Sequence, residues 1–414
     1  MFDFMASKKA FGIYLIILFI LVIILALSVV AALIIVQKKA DEGKENKKKK
    51  KATYKGTRFS MLNKIDKDMS SYVAPRDSDI NLKEFCDNFR NFAAAKLGLY
   101  YEIEDIRRFV AAMGVTKLII IKGMSGTGKT SLAYAFGQFV ANDSVIVPVQ
   151  PMWKERSDLV GYFNEFTGKF NETSLLRKMY EAGYSKEIYI TVLDEMNISR
   201  IEYYFAEFLS LLEIPDQNKR YLDVVSDCWT GDPKRLNEGK LLLPVNMWFV
   251  GTANNDDSTF AISDKVYDRS MVINLEKRAQ PFDAQTKDSE RISYDRFTNL
   301  ILDAKSTFPM PASSYEKVRK LDEYLQNTFK ISFGNRIMKQ IEDYIPVMIA
   351  CGGSENEAID DIVSKKILRK LEQLNPSYVK SCINPLCSYI NEVFGQGSMP
   401  QSISYLMSGV FYGK

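Results

Sequence analysis

Residues 123–131 read Gly123-Met124-Ser125-Gly126-Thr127-Gly128-Lys129-Thr130-Ser131, which fits G-x-x-x-x-G-K-[ST] in full. The stretch follows the apolar, β-branched run 117–121 and precedes a helical pattern over 132–140. Glycines let consecutive backbone N–H groups curl around phosphate oxygens without obstruction by side chains. We therefore predict a phosphate-binding loop, with Lys129 on the β- and γ-phosphates and the Thr130 hydroxyl on Mg²⁺.

Two adjacent carboxylates follow a second apolar run. Asp194 and Glu195 directly follow the run 188–193, and Asp194 lies 65 residues after Lys129. Because the carboxyl ends of parallel strands meet at one edge of a sheet, these carboxylates are predicted to lie beside the phosphate-binding loop. Asp194 is then expected in the Mg²⁺ shell together with Thr130, and Glu195 is expected to polarise the attacking water.

A polar stretch ends a further apolar run at 247–250. It reads Gly251-Thr-Ala-Asn254-Asn255. If that strand ends at the same sheet edge, Asn254 can reach the γ-phosphate and the water, with Asn255 as second choice. The alternative is an asparagine-rich turn without a role in chemistry.

The order of apolar runs predicts an α/β fold. Strand-like runs also stand at 145–149 and 271–275, and helical patterns such as 201–212 separate the runs. This alternation predicts a parallel sheet with flanking helices on both faces. Past residue 286 helical patterns dominate, and they predict a C-terminal helical lid with helices that include 315–325, 336–349 and 358–374.

The N-terminus has a long uncharged segment. Residues 11–36 are rich in Ile, Leu and Val and carry no charge, whereas about 20 residues suffice to cross a bilayer. Lysines are concentrated after the segment, which predicts a single-pass membrane protein with the nucleotide-binding part on the cytoplasmic side. The lysine-rich stretch 38–51 is expected to be a solvated linker or to contact anionic headgroups.

Composition limits the classes of function. The net charge is +4, of which residues 1–51 contribute +6 and the rest −2. A nearly neutral body does not favour nucleic acid as the main partner. The chain has no histidine, which excludes a Ser-His-Asp triad and any histidine-ligated zinc site.

Together these elements resemble AAA+ ATPases, specifically the dynein-related, McrB-like branch. The resemblance covers residues 97–375 and rests on the loop at 123–131, the block 193–209 that begins Leu-Asp-Glu-Met-Asn-Ile-Ser-Arg, the strand end at 251–254, and Lys265-Val-Tyr-Asp-Arg269. The predicted organisation is then an N-terminal segment 1–36 with a transmembrane helix 11–36, a basic flexible linker 37–78, a helical lead-in 79–112, an AAA+ α/β nucleotide-binding core 113–285 and a helical lid 286–414.

The resemblance implies roles for residues outside the loop. It implies a sensor asparagine at Asn254, an arginine finger acting in trans at Arg269 and a lid arginine at Arg336, with Arg200 as a second finger candidate. It also implies that the insertion 162–171 points toward a substrate or pore, although a solvated hairpin explains it equally well.

The expected activity is ATP hydrolysis with Mg²⁺ in a homo-oligomeric ring, most often of six copies, that remodels or switches an unidentified protein partner. Three alternatives stay open. The chain could be a nucleotide-dependent scaffold, a McrB-like GTPase subunit acting with a nuclease partner, or a P-loop phosphotransferase. An intact Glu195 disfavours the scaffold, and the Asn254 strand end and Arg269 disfavour the phosphotransferase.

Overall fold

The computed structural model describes residues 56–254 and 259–412. The described residues divide into two compact units, a small one that includes residues 56–57 and 227–232 and a large one of residues 58–226, 233–254 and 259–412. In the small unit, the Trp229 indole N–H donates to the Asp227 carboxylate at 2.9 Å. The predicted segment 11–36, the lysine-rich stretch and Asn255 lie outside the described residues.

The predicted membrane localisation is corrected. None of the helices in the described ranges is both long enough and apolar enough to cross a bilayer. The longest of them, Pro376–Phe394 and Ala312–Phe329, each bury one face and carry charged side chains on the other. A helix that spans a bilayer must be apolar on nearly all sides, so these two do not qualify.

Helices make up most of the described chain. The α-helices are α1 Met61–Asp68, α2 Leu82–Leu97, α3 Ile103–Met113, α4 Lys129–Phe139, α5 Arg156–Val160, α6 Ser174–Ala182, α7 Ile201–Tyr204, α8 Ala206–Leu211, α9 Asp264–Tyr267, α10 Tyr294–Thr307, α11 Ala312–Phe329, α12 Asn335–Ala350, α13 Glu355–Ile362, α14 Pro376–Phe394, α15 Pro400–Leu406 and α16 Gly409–Tyr412. Short 3₁₀ segments are Met69–Ser71, Gln217–Lys219 and Leu368–Gln373, and Val363–Ile367 is a π-helix.

The strands form one central sheet and two small ones. They are β1 Leu118–Lys122, β2 Val145–Pro148, β3 Phe163–Asn164, β4 Lys169–Phe170, β5 Tyr189–Asp194, β6 Tyr221–Asp223, β7 Leu236–Asn237, β8 Lys240–Leu242, β9 Met247–Ala253 and β10 Met271–Asn274. The central sheet has the order β10-β1-β9-β5-β2, and every neighbouring pair in it is parallel. The α/β prediction of a parallel sheet with flanking helices is confirmed.

The apolar strands follow from burial of the sheet on both sides. On β1, Ile119 and Ile121 pack into the core that contains Phe136 of α4, whereas Leu118 and Ile120 pack into the core on the other face. A strand covered on both faces loses the usual alternation of apolar and polar residues. This explains why residues 118–121 are all apolar.

Helix α2 lies inside the predicted helical lead-in 79–112 and is capped at both ends. The Asn81 side chain accepts from the Glu84 backbone N–H at 2.9 Å, and the Glu84 carboxylate accepts from the Asn81 N–H at 3.4 Å. Gly98 ends the helix in the left-handed conformation, with φ of 65°. A capping box thus begins the helix and a glycine ends it.

Three predicted segments differ in the structure. The pattern 201–212 forms two short helices that break at Phe205, and 358–374 continues from α13 into π and 3₁₀ turns. Inside the predicted linker 37–78, α1 packs on α6, where the Tyr180 hydroxyl donates to the buried Asp66 carboxylate at 2.6 Å. Hydrogen-bonded burial of this kind fixes a segment that its composition alone describes as a linker.

A buried ionic network joins the C-terminal helices to α3. The Asp361 carboxylate, 3% exposed, accepts from Arg108 at 3.1 Å, from Lys365 at 2.8 Å and from the Tyr344 hydroxyl at 3.0 Å. Burial raises the pKa of Asp361, but Lys365 and Arg108 outweigh it and hold that pKa below its usual value. The carboxylate is therefore charged at neutral pH and pairs with the buried Lys365 and with the partly buried Arg108, which also pairs with Asp105 at 3.0 Å.

We expect Asp361→Ala to lower the free energy of unfolding by about 3–5 kcal/mol, because it leaves the buried Lys365 ammonium without a carboxylate and Arg108 with Asp105 alone. The measurement is the urea midpoint at pH 7. Asp288→Ala is the matched control: this carboxylate is 92% exposed in its pair with Lys96, and exposed pairs contribute at most about 1 kcal/mol. Equal losses in both variants would contradict the argument.

Candidate functional site

The loop 123–128 connects β1 to α4 at the carboxyl edge of the central sheet. At Gly123 the loop passes so close to β10 that a Cβ would lie 2.2 Å from the Leu275 carbonyl oxygen. Gly128 has φ of 92° and is the N-cap of α4. Gly123 is required because a side chain would not fit, and Gly128 because of its backbone conformation. The loop leads into the N-terminus of α4, and helix N-termini of this kind bind phosphate.

Lys129 is buried at the start of α4. Its ammonium donates to the Gly123 carbonyl at 2.9 Å and to the Met124 carbonyl at 2.7 Å, both in the loop itself. The ammonium is thus held inside the curve of the loop. Its predicted contacts with phosphates stay a prediction.

Asp194 accepts two hydroxyl hydrogen bonds at one oxygen. Thr130 Oγ1 donates to Asp194 Oδ1 at 2.6 Å, and Thr252 Oγ1 of β9 donates to the same oxygen at 2.8 Å. Since Thr130 follows the loop and Asp194 ends β5, the fold brings together the two predicted metal ligands. The bonds fix the orientation of the carboxylate.

Glu195 projects from a constrained backbone. Its N–H donates to Thr252 Oγ1 at 2.9 Å, and its φ is 53°, in the left-handed region. A non-glycine residue costs on the order of 1–3 kcal/mol there, and such residues cluster at functional sites. Its side chain is exposed at the loop edge, where a carboxylate can meet water.

The residues present fit a magnesium ion. Mg²⁺ prefers oxygen ligands and is usually held by one or two carboxylates together with substrate phosphates. Thr130 and Asp194 supply a hydroxyl and a carboxylate, and the described part of the chain has no cluster of three or more Cys, Asp or Glu that would suggest a metal cage. Bound there with a nucleotide, the ion would neutralise charge on the phosphates.

Asn254 follows β9 at the same sheet edge. Pairing of Leu193 with Gly251 places Asp194, the last residue of β5, and Asn254, which follows β9, at the carboxyl ends of neighbouring strands. The Asn254 carbonyl accepts from the Asn197 side-chain amide at 3.0 Å, and Asn197 also donates to Phe260 at 3.4 Å. The sensor role of Asn254 stays a prediction.

Sequence reasoning assigned no role to three residues at this edge, Thr252, Asn197 and Arg278. Arg278 Nε donates to the Gly126 carbonyl of the loop at 2.7 Å. The available signal was that β10, the strand beside β1, also ends at this edge, so the residues that follow it lie near the loop. For Thr252 and Asn197 the only signal was their place in motifs already chosen for other residues.

The two predicted arginines lie away from the loop. Arg269 precedes β10, and pairing of Ile119 with Met271 puts it near the amino end of β1. At about 3.3 Å per residue, the five residues of β1 separate it from the loop by roughly 16 Å. Arg269 pairs with Glu213 at 2.5 Å, and Arg336 pairs with the same carboxylate.

The remaining predicted features have simple local structures. Arg200 is exposed, with its guanidinium 5.3 Å from the centre of the Phe260 ring. Residues 162–171 form an antiparallel hairpin of β3 and β4 with Phe166 fully exposed near its tip. Whether the hairpin points to a substrate stays a prediction, as does the finger role of Arg200.

The five-stranded parallel sheet with its flanking helices fits the fold of P-loop AAA+ ATPases. No protein-family model matches the sequence, and no curated protein matches it. Among solved structures, the chain is similar to a candidate ATPase from Cytophaga hutchinsonii, with 14% identity and a TM-score of 0.47, over 75% of this chain and 94% of that one. It is also similar to a full-length MCM homologue from Methanopyrus kandleri, with 10% identity and a TM-score of 0.39, over 70% of this chain and 62% of that one. The function proposed below rests on the residues of the site.

Proposed function

We propose that the chain is an AAA+ ATPase that binds ATP with Mg²⁺, hydrolyses it and uses the cycle to remodel or switch a partner macromolecule. The observation that carries the proposal is the pair of hydrogen bonds that Asp194 Oδ1 accepts from Thr130 and Thr252. It joins the end of the glycine loop to two strand ends at one sheet edge. That edge of an open parallel sheet is the usual ligand site.

Each residue of the site would have a separate role in phosphoryl transfer to water. The loop amides and Lys129 would bind the phosphates, while Thr130 and the fixed Asp194 would hold the metal ion. Glu195 would accept a hydrogen bond from the attacking water and orient it toward the γ-phosphate, with Asn254 on the other side of that water. Because Thr252 bonds both Asp194 and the Glu195 N–H, one side chain contacts the Asp194 carboxylate and the backbone of Glu195.

The position of Arg269 supports an oligomeric site. Within one chain Arg269 is roughly 16 Å from the loop along β1, too far for a guanidinium to reach the γ-phosphate. A head-to-tail contact between copies would bring the amino edge of one sheet to the carboxyl edge of the next. Such heterologous contacts close into rings, and six copies is the number that the family resemblance favours.

Phosphate release from ATP tests the proposal. The full chain is expected to release phosphate with saturable dependence on ATP and on Mg²⁺, and chelation of the metal should abolish turnover, because Thr130 and Asp194 would then have no ion to hold. GTP in a parallel series measures base preference. Tight ATP binding without turnover would replace the ATPase by a nucleotide-dependent scaffold, and no binding of either nucleotide would contradict both.

A further inference from the structure

A cavity lies at the amino edge of the central sheet, opposite the edge that carries the phosphate-binding loop. It has a volume of about 400 Å³ and lies between the sheet and the C-terminal helices, with Trp248 and Tyr294 in its walls. Five cationic side chains line it and only one acid, so the lining is strongly positive. The cations are Lys117, Arg220, Arg269, Lys305 and Arg336, and the acid is Glu213.

The acid and three of the cations already have ion-pair partners. Glu213 is shared by Arg269 and Arg336, and Lys305 pairs with Asp343 at 2.9 Å. Lys117 and Arg220 are different: within residues 56–254 and 259–412, neither forms an ion pair with a carboxylate. Lys117 and Arg220 therefore contribute positive charge that no carboxylate of the described residues offsets by an ion pair.

Lys117 and Arg220 are both partly buried in the lining of the cavity, close enough for their charges to interact. The Lys117 ammonium lies 3.1 Å from the centre of the Trp248 ring and 4.7 Å from that of Tyr294. Burial, and then repulsion by Arg220, lower the pKa of Lys117 well below its usual value, and burial also lowers the pKa of Arg220. Arg220 is held in place because its Nε donates to the Ile214 carbonyl at 2.8 Å.

An anion between Lys117 and Arg220 would offset their mutual repulsion and favour the charged form of Lys117. A guanidinium matches the geometry of a phosphate oxygen pair, and an ammonium adds a point charge. The volume is in the range of small-ligand pockets. We propose that this cavity binds a phosphate-bearing anion through Lys117 and Arg220.

The phosphate has two possible sources. It could belong to a free small molecule, or it could be the terminal phosphate of a nucleotide held by the loop of a neighbouring copy. The second source also depends on the ring proposed above, whereas the first does not. The experiment separates them by disabling the loop.

The test uses the full chain with Lys129→Ala and with Trp248 as its sole tryptophan, through Trp153→Phe and Trp229→Phe. Inorganic tripolyphosphate is added at low salt to dilute protein, and Trp248 fluorescence is followed. A saturable change in this chain supports a free ligand. A second copy of the chain, with an intact loop and Trp248→Phe, is then added together with ATP. If Trp248 fluorescence changes only after this addition, the phosphate belongs to the nucleotide of the neighbouring copy.

Lys117→Met keeps the aliphatic stem over Trp248 and removes the charge, and we expect it to weaken binding at least about tenfold, as for a lost charge-assisted hydrogen bond. Arg220→Gln, which keeps a side-chain donor, gives a second and separate measure. The control Lys64→Met, Lys67→Met removes two exposed charges on α1 and should leave affinity unchanged. Absence of saturation in both arms would overturn the proposal. So would folded Lys117→Met and Arg220→Gln chains that bind the anion with the same affinity as the chain that keeps both residues.

Discussion

Lys129→Ala is expected to abolish ATP binding, whereas Glu195→Gln is expected to preserve binding and lower turnover by about 10²–10⁴, the usual contribution of a general base. The difference follows from position. Lys129 lies inside the phosphate loop, and Glu195 projects from a strained strand end where only the water would meet it. Equilibrium binding of a fluorescent ATP analogue and steady-state phosphate release measure the two quantities.

Two exposed residues provide controls for these variants. Lys64→Ala on α1 and Glu165→Gln in the hairpin remove the same chemical groups far from any site contact, and both should bind and hydrolyse ATP normally. If Glu195→Gln loses binding as completely as Lys129→Ala, the Glu195 carboxylate has a structural role and does not act only on the water.

Arg269→Ala is expected to reduce turnover by about 10³–10⁵ with little change in ATP affinity, because a finger arginine stabilises charge that develops only in the transition state. Its ion pair with Glu213 offers a structural explanation for the same loss. Glu213→Gln separates the two, since it removes the partner and leaves the guanidinium. A finger predicts a small effect of Glu213→Gln on turnover, and a structural role predicts a similar loss in both variants.

Mixing tests whether Arg269 acts in trans. Rings that contain both Arg269→Ala and Glu195→Gln copies have some interfaces with an intact Glu195 on one side and an intact Arg269 on the other. Such rings should recover part of the activity that each parent lacks. No recovery in verified mixed rings would transfer the finger role to Arg200 or favour a monomeric mechanism.

The sequence predicted the parts of the site that depend on local pattern. The loop at 123–131 and the pair Asp194-Glu195 each stand at the end of an apolar run, and the rule that parallel strands end at one edge brings them together. Local pattern does not specify which neighbouring side chain completes a hydrogen bond. Thr252 could be placed on Asp194 only after the pairing of β5 with β9 was known.

The positions of Arg269 and Arg336 relative to the loop could not be predicted from local pattern either. The resemblance assigns roles to Arg269 and Arg336 but not their distance from the loop, which depends on the register between β1 and β10. Likewise, the break after α13 follows from buried partners rather than from periodicity. Lys366, whose pKa burial lowers to about 7, donates to the Ser270 carbonyl at 2.8 Å, a contact 96 residues away in sequence.

In the proposed ring, Glu213 and a neighbour's phosphate would compete for Arg269. Arg269 precedes β10 and Arg336 lies in α12, so this one carboxylate ties the C-terminal helices to the core through Arg336 while it also pairs with Arg269. If Arg269 turned to a neighbour's phosphate, the carboxylate would be left to Arg336 alone. A nucleotide bound in one copy would in that case change the ionic link between the core and the C-terminal helices of the next copy.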